Sequence, residues 1–183
     1  MGALPPASGR YSVVDVSHLW HVACLSSELR RDRPLARTVQ GLPIALFRAA
    51  GAGAPQALAD RCPHRNAPLS LGRIRDGMLE CRYHGWCFDG AGACRSVPGL
   101  YEGATAGTSA TNGRPRDASA LATAEQDGFV WVLAAPDPAR PAPERPPRFP
   151  LVEEPGYATV RRRFVVAGTL HAALENALDV PHT

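Results

Sequence analysis

Apolar positions along the chain fall in short runs broken by turn residues. "LARTV", "PIALFRA", "QALAD", "MLECR", "GWCFD" and "FVWVLAA" are each long enough for a strand and too short for a helix. A further strand-like run, "YSVVDV", leads into Leu19, Trp20 and Val22. "QGLP" and "AAGAGAP" read as turns, and the Asp-Gly of "FDGAGAC" as a hairpin. "SSELRRD" reads as one short helical turn with Ser26 or Ser27 as its N-cap. Short strands at close spacing predict a small antiparallel β domain over residues 11–136, after a loose tail at 1–10. Residues 101–118, rich in Gly, Ala and Thr, are expected to form an exposed loop.

The pattern changes after "PDPARPAPERPPRFP", whose prolines cannot serve a central strand. Residues 137–156 are therefore expected to be a linker, and a second unit to begin at 157. In "YATVRRRFVV", Ala158, Val160, Phe164 and Val166 fall on one face of a predicted strand, interrupted by Arg162. Leu170, Ala173, Leu174, Ala177 and Leu178 then follow helical spacing, with Thr169 as N-cap. One strand and one helix cannot enclose a core, so residues 157–183 are expected to be the truncated start of an α+β domain.

Composition narrows the function classes. All 20 basic residues among the 183 are Arg, they are interspersed with acids, and the net charge is only +3, which does not indicate nucleic-acid binding. No apolar run approaches the roughly 20 residues of a membrane-spanning helix, and the N-terminus lacks a signal-peptide pattern. The expectation is a soluble cytoplasmic protein. Five cysteines, an odd number, favour metal ligation or free thiols over a disulfide framework.

The densest chemistry lies in "CPHRNAPLSLGRIRDGMLECRYHGW". Cys62 and His64 form a Cys-x-His pair, and after sixteen residues Cys81 and His84 form a Cys-x-x-His pair. Zinc accepts such a quartet, though usually as two Cys from one turn and two His from another. Here each loop offers one thiolate and one imidazole. Such a set can also divide between two irons, both Cys on one and both His on the other, as in a Rieske [2Fe–2S] centre. Cys24, Cys87 and Cys94 read as buried packing thiols, and His18 and His21 as surface or satisfied histidines. Arg61, Arg65 and Arg82 are either solvated or placed to offset charge at the metal site.

"CPHRNAPLSLG" and "CRYHGW" resemble the two cluster-binding loops of Rieske proteins, down to both short spacings, the gap between them and Gly85 after the second His. The resemblance covers the β domain. It implies a mainly β fold, a small antiparallel sandwich or barrel with two cluster-binding loops. It also implies Cys62 and Cys81 on one iron and His64 and His84 on the other. Neither loop has the extra Cys of the cytochrome-complex type, and Tyr83 and Trp86 flank His84-Gly85. The chain thus resembles the N-terminal portion of the ring-hydroxylating, Rieske non-haem iron oxygenase α subunits.

The same resemblance gives meaning to "ENALDVPHT", where Glu175, Asp179 and His182 would share a helix face. Alone, this is a polar helix surface. In the oxygenases the catalytic domain opens with Asn-x-x-Asp-x-x-His, which Asn176, Asp179 and His182 match. By that resemblance His182 is one ligand of a mononuclear Fe(II) held by two His and one carboxylate. Asp179 would bridge it to a cluster imidazole, His84, of a neighbouring subunit. Pro181 is expected to kink or end the helix just before His182.

The expected function is that of a Rieske electron-transfer domain. It takes electrons from a reductase or ferredoxin and passes them to Fe(II), for O2-dependent hydroxylation or dealkylation of a small organic substrate in an intact oligomer, a trimer. The 183 residues alone, with one of the mononuclear ligands, are expected not to catalyse the reaction. The alternatives are a free-standing Rieske ferredoxin-type carrier and a zinc-binding structural module.

Overall fold

The computed structural model describes residues 16–48, 53–99, 116–152, 154–161, 164–165 and 167–179. The tail at 1–10, most of the loop over 101–118, Pro181 and His182 lie outside these residues.

The chain divides into two units, Met1–Arg148 and Phe149–Thr183, so the division falls inside the Pro-rich stretch. The first unit carries ten strands: β1 (Trp20–Leu25), β2 (Leu35–Val39), β3 (Leu42–Arg48), β4 (Pro55–Ala59), β5 (Arg73–Arg75), β6 (Met78–Glu80), β7 (Cys87–Phe88), β8 (Cys94–Ser96), β9 (Ala120–Gln126) and β10 (Phe129–Leu133). They form two antiparallel sheets, one ordered β1-β10-β9-β4-β3-β2 and the other β5-β6-β7-β8. This is the mainly β architecture expected.

Three hairpins turn on two residues, Gln40-Gly41, Asp76-Gly77 and Asp127-Gly128, all six with positive φ. Two left-handed residues in succession match the right-handed twist of the flanking strands. They set the registers Val39↔Leu42, Arg75↔Met78 and Gln126↔Phe129. The Asp-Gly of "FDGAGAC" does not turn this way. The Asp89 carboxylate instead accepts from the N–H groups of Ala91 and Ala93, and the positive φ falls on Gly92. The short turn after β1 is Ser26–Glu28, and its cap is Leu25 rather than a serine: the Glu28 carboxylate takes the Leu25 N–H at 2.8 Å.

Ile44, Ala45, Leu46 and Phe47 of β3 are all fully buried, because the large sheet has apolar layers on both faces. Ile44 and Leu46 join Cys24, Val39, Ala57, Val130 and Val132. These come from both edge strands, so the sheet curls around that layer. Ala45 and Phe47 face the other way, into a core with Leu58, Leu69, Leu79, Phe88 and Cys94 that joins the small sheet to the large one. Cys62, Cys81 and Trp86 lie in this second core.

Arg48 holds the curled edge. Its guanidinium donates to the carbonyls of Ser26, Leu29 and Gly53 and pairs with Glu125 at 2.8 Å. The Pro-rich segment up to Arg148 is tied to the first unit by the Trp20 indole N–H on Pro143 O and by the Gln126 amide on Pro146 and Pro147 O.

In the second unit, α1 (Leu170–Leu178) starts where expected, with Thr169 Oγ1 accepting from the Ala172 N–H at 3.2 Å. It ends at Leu178. Asp179 is the C-cap, with ψ of 88°, so it does not share a helix face with Glu175. A helix continued to Pro181 would set the proline ring against the Ala177 carbonyl. The strand predicted over 157–166 is absent among the described residues. Among the described residues, this unit offers no neighbouring strand to complete a ladder.

Replacing Arg48 by Met should destabilise the first unit by about 2–3 kcal/mol in urea denaturation, because three carbonyls and a half-buried carboxylate lose their donor. Arg48 holds the Glu125 carboxyl below its usual 4.5. The stabilisation from this pair is therefore complete above that value and lost as pH falls through the lower folded value. The wild type should lose stability on acidification more steeply than Arg48→Met.

Candidate metal centre

The two loops carrying the Cys/His pairs share one backbone frame. In the first, Cys62 N–H donates to Ala67 O at 2.8 Å and Asn66 N–H to Cys62 O at 2.8 Å. In the second, Cys81 N–H donates to Trp86 O at 2.7 Å and Gly85 N–H to Cys81 O at 2.9 Å. Each frame closes through a left-handed residue four positions after its cysteine, Asn66 at φ 58° and Gly85 at φ 71°. Such a position suits Gly, and Asn better than most residues. Arg61 steadies Asn66, its Nε donating to Oδ1 at 2.6 Å. The frames differ only in where the histidine sits, two residues after Cys62 and three after Cys81.

Each loop is anchored to the sheets. Asp60 accepts from Ser70 through both its N–H, at 2.7 Å, and its hydroxyl, at 2.6 Å. Gly72 lies so near β6 that a Cβ there would meet Glu80 O at 2.1 Å. The buried Glu80 carboxylate is held by Arg73 at 2.7 Å and Arg75 at 3.5 Å, fixing the strand that leads into Cys81.

The frames bring the four predicted side chains together as two pairs. Cys62 and Cys81 are buried, and Cys81 is near enough to raise the pKa of Cys62. The His64 and His84 rings lie 4.6 Å apart between centroids, tilted by 57°. Thiol is thus beside thiol, and imidazole beside imidazole. His84 is exposed and packs against Tyr83, whereas the His64 ring is stacked on the buried Trp86.

The electrostatics suit a metal group. Burial pushes the Cys62 thiol up to about 12. Such a thiol gives up its proton only to a cation that takes the proton's place. Loss of water around the ring, then the positive charge of His84 and Arg65, hold His64 below its usual range and so favour the neutral, ligating imidazole. His64 Nδ1 is buried and has no hydrogen-bond partner, so it is a donor atom in want of a ligand-sized neighbour.

A tetrahedral zinc site draws four donors onto a single point. Among the described residues no three His, Cys, Asp or Glu side chains converge in that way. What the structure shows is two pairs, Cys62 with Cys81 and His64 with His84.

Cys24, Cys87 and Cys94 are buried and free, as expected for packing thiols. His21 Nε2 lies 3.0 Å from Val16 O. Trp86 and Asn66 are the site residues that sequence reasoning undervalued. The equal four-residue spacing from Cys62 to Asn66 and from Cys81 to Gly85 was the signal for the latter.

Gly85→Ala should cost about 1–2 kcal/mol, since the residue is left-handed and its Cβ would meet Pro98 Cγ at 2.9 Å. Asn66→Gly should change stability by only a few tenths of a kcal/mol, because glycine meets the same backbone need. Thermal denaturation of the two variants checks the shared frame.

Comparison with known proteins agrees with the geometry. Residues 19–107 match the model of the Rieske [2Fe–2S] domain. The chain is 36% identical over 167 residues to the oxygenase component of dicamba O-demethylase from Stenotrophomonas maltophilia, covering 91% of this chain and 46% of that protein. It is 38% identical over 129 residues to a putative toluene-4-sulfonate monooxygenase iron-sulfur subunit of Comamonas testosteroni, covering 70% of this chain and 34% of that one. The crystal structure of dicamba monooxygenase bound to dicamba superposes with a TM-score of 0.65 at 39% identity, over 79% of this chain and 40% of the other. The chain therefore spans less than half the length of these relatives. With its two loops, its two sheets and these relatives in agreement, the chain belongs to the Rieske non-haem iron oxygenase α-subunit family, and residues 19–107 are its Rieske [2Fe–2S] domain.

Proposed function

We propose that Cys62 and Cys81 hold one iron of a [2Fe–2S] cluster and His64 and His84 the other, and that the domain delivers electrons to an oxygenase reaction. The observation that carries this reading is the pairing of thiol with thiol and imidazole with imidazole at the tips of two loops with one backbone frame. When bound, the cluster supplies one-electron transfer at a potential set by its ligands, hydrogen bonds and exposure. The chain's own part is to bury the thiolates, keep His64 half-buried and present His84 at the surface. Electrons exchanged with a partner then have their shortest exit through the His84 ring.

Asp179 and His182 fit the same reading. Asn176, Asp179 and His182 carry the family spacing, and Asp179 stands at the end of α1, off its regular face. In the intact protein His182 would be one ligand of a mononuclear iron. Asp179 would accept a hydrogen bond from His182 and another from His84 of a neighbouring subunit, fixing both tautomers. That role requires an oligomer, and a trimer is the state we propose. The partners are a reductase or ferredoxin and a small organic substrate, hydroxylated or dealkylated with O2. A helix bearing this motif has no use in a free-standing carrier. No helix among the described residues is long and apolar enough to cross a membrane. None of the five cysteines is in a disulfide, which suits a reducing compartment such as the cytoplasm.

The purified protein should contain iron and acid-labile sulfide in about equal amounts, about two of each per chain. Stoichiometric zinc without sulfide would contradict the proposal. Rieske proteins of the cytochrome-complex type carry a serine hydroxyl after the His-Gly, where this chain resembles the oxygenases in having Trp86, so the midpoint potential should fall in the lower half of the Rieske span of about −150 to +300 mV, measured by voltammetry.

His84→Ala should abolish the cluster, while Cys87→Ala should keep it and lose about 1–2 kcal/mol of stability. Asp179→Asn should leave cluster content unchanged. Iron retained by the His84 variant, or lost from either of the other two, would show that the ligand set is wrong.

A further inference from the structure

We infer that Trp86 is a positioning residue for the cluster, clamping the two loops together and fixing the plane of the His64 imidazole; this rests on the ligand set proposed above. Trp86 belongs to the second loop by its backbone, since its carbonyl closes the Cys81 frame at 2.7 Å. By its side chain it belongs to the first. The indole lies on the His64 ring with centroids 4.6 Å apart and only 6° between the planes.

His64 needs such a guide. Its Nδ1 has no hydrogen-bond partner, so no hydrogen bond to that atom fixes the ring's rotation. The His84 ring meets it at a tilt of 57°, a contact that constrains the plane less than a parallel stack does. Trp86 itself is 6% exposed and is wedged in the core with Leu79 and Phe88, so its plane is set by packing. A rigid indole therefore dictates the direction in which the unpartnered nitrogen points.

The stack also shuts water from one face of His64, while His84 stays open. One-electron reduction leaves the cluster with one more negative charge, which water stabilises better than an apolar wall does. Trp86 thus holds the potential down and protects the iron on its side from competing ligands.

The test uses the cluster-loaded full chain and three variants, Trp86→Phe, Trp86→Leu and Phe88→Leu. Phe88 is fully buried in the same core and serves as the control for loosened packing. Each is reduced with dithionite for electron paramagnetic resonance, titrated by voltammetry at one pH and challenged with a chelator. Trp86→Phe keeps a ring on His64 and should retain the parent spectrum and potential. Trp86→Leu should shift the g values, raise the potential and lose iron several-fold faster. Phe88→Leu should lower the denaturation midpoint without moving spectrum or potential. The inference is overturned if Trp86→Leu has the parent spectrum and potential, or if Phe88→Leu moves them as far. Should Trp86→Leu fail to load while Phe88→Leu loads, the stack is needed for assembly, as the inference requires. Should both fail, the core alone is responsible and the inference falls. A parent chain with no cluster would instead overturn the proposed function.

Discussion

Everything at this site follows from burying two thiols next to each other at the edge of an apolar core. Cys62 and Cys81 are almost inaccessible, yet they stand at the mouths of two loops whose next residues reach water. A buried thiol resists ionisation, and two adjacent thiolates repel, so the pair is stable as thiolates only around a cation. The loops turn this constraint into geometry. A bond from each cysteine N–H to the carbonyl five residues on, and one back to its own carbonyl, fix where the sulfur starts and where the imidazole can reach.

The scaffold exists to keep those two loops in register. β3 is buried on both faces, and its alternate residues feed two different cores. One core curls the large sheet on itself with Arg48 as the tie across its edge. The other binds the small sheet and brings the Cys81 loop against the Cys62 loop. Glu80, held by two arginines in the strand before Cys81, and Asp60, held by Ser70 in the strand-to-loop corner before Cys62, are the polar counterparts of that packing.

Much of this was legible in the sequence. The continuous run of Ile44 to Phe47 announces a strand with no solvent face, and the Cys/His spacings announce the site. The strands that escaped notice are β5, β8 and β9. β5 and β8 are three residues long and carry arginines, and β9, "ALATAEQ", has small and polar residues where a packed face would show branched ones. The hairpins at Asp76-Gly77 and Asp127-Gly128 were written in plain dipeptides that mark them. The stack of Trp86 on His64 was not legible, because it joins residues on different loops and depends on the backbone frames that aim them. The apolar pattern does end at Leu178 as the helix does, but the shared face read for Glu175 and Asp179 was an error, because Asp179 is already the C-cap.

The central claim is a division of ligands, both sulfurs on one iron and both nitrogens on the other. Mössbauer spectroscopy of the 57Fe-enriched, dithionite-reduced protein tests it most directly, because it reports each iron separately. The account predicts two unlike sites in equal amounts, a ferric iron in an all-sulfur environment and a ferrous iron whose isomer shift reflects two nitrogen ligands. Two sites with the parameters of all-sulfur coordination, or a single mononuclear iron, would contradict it.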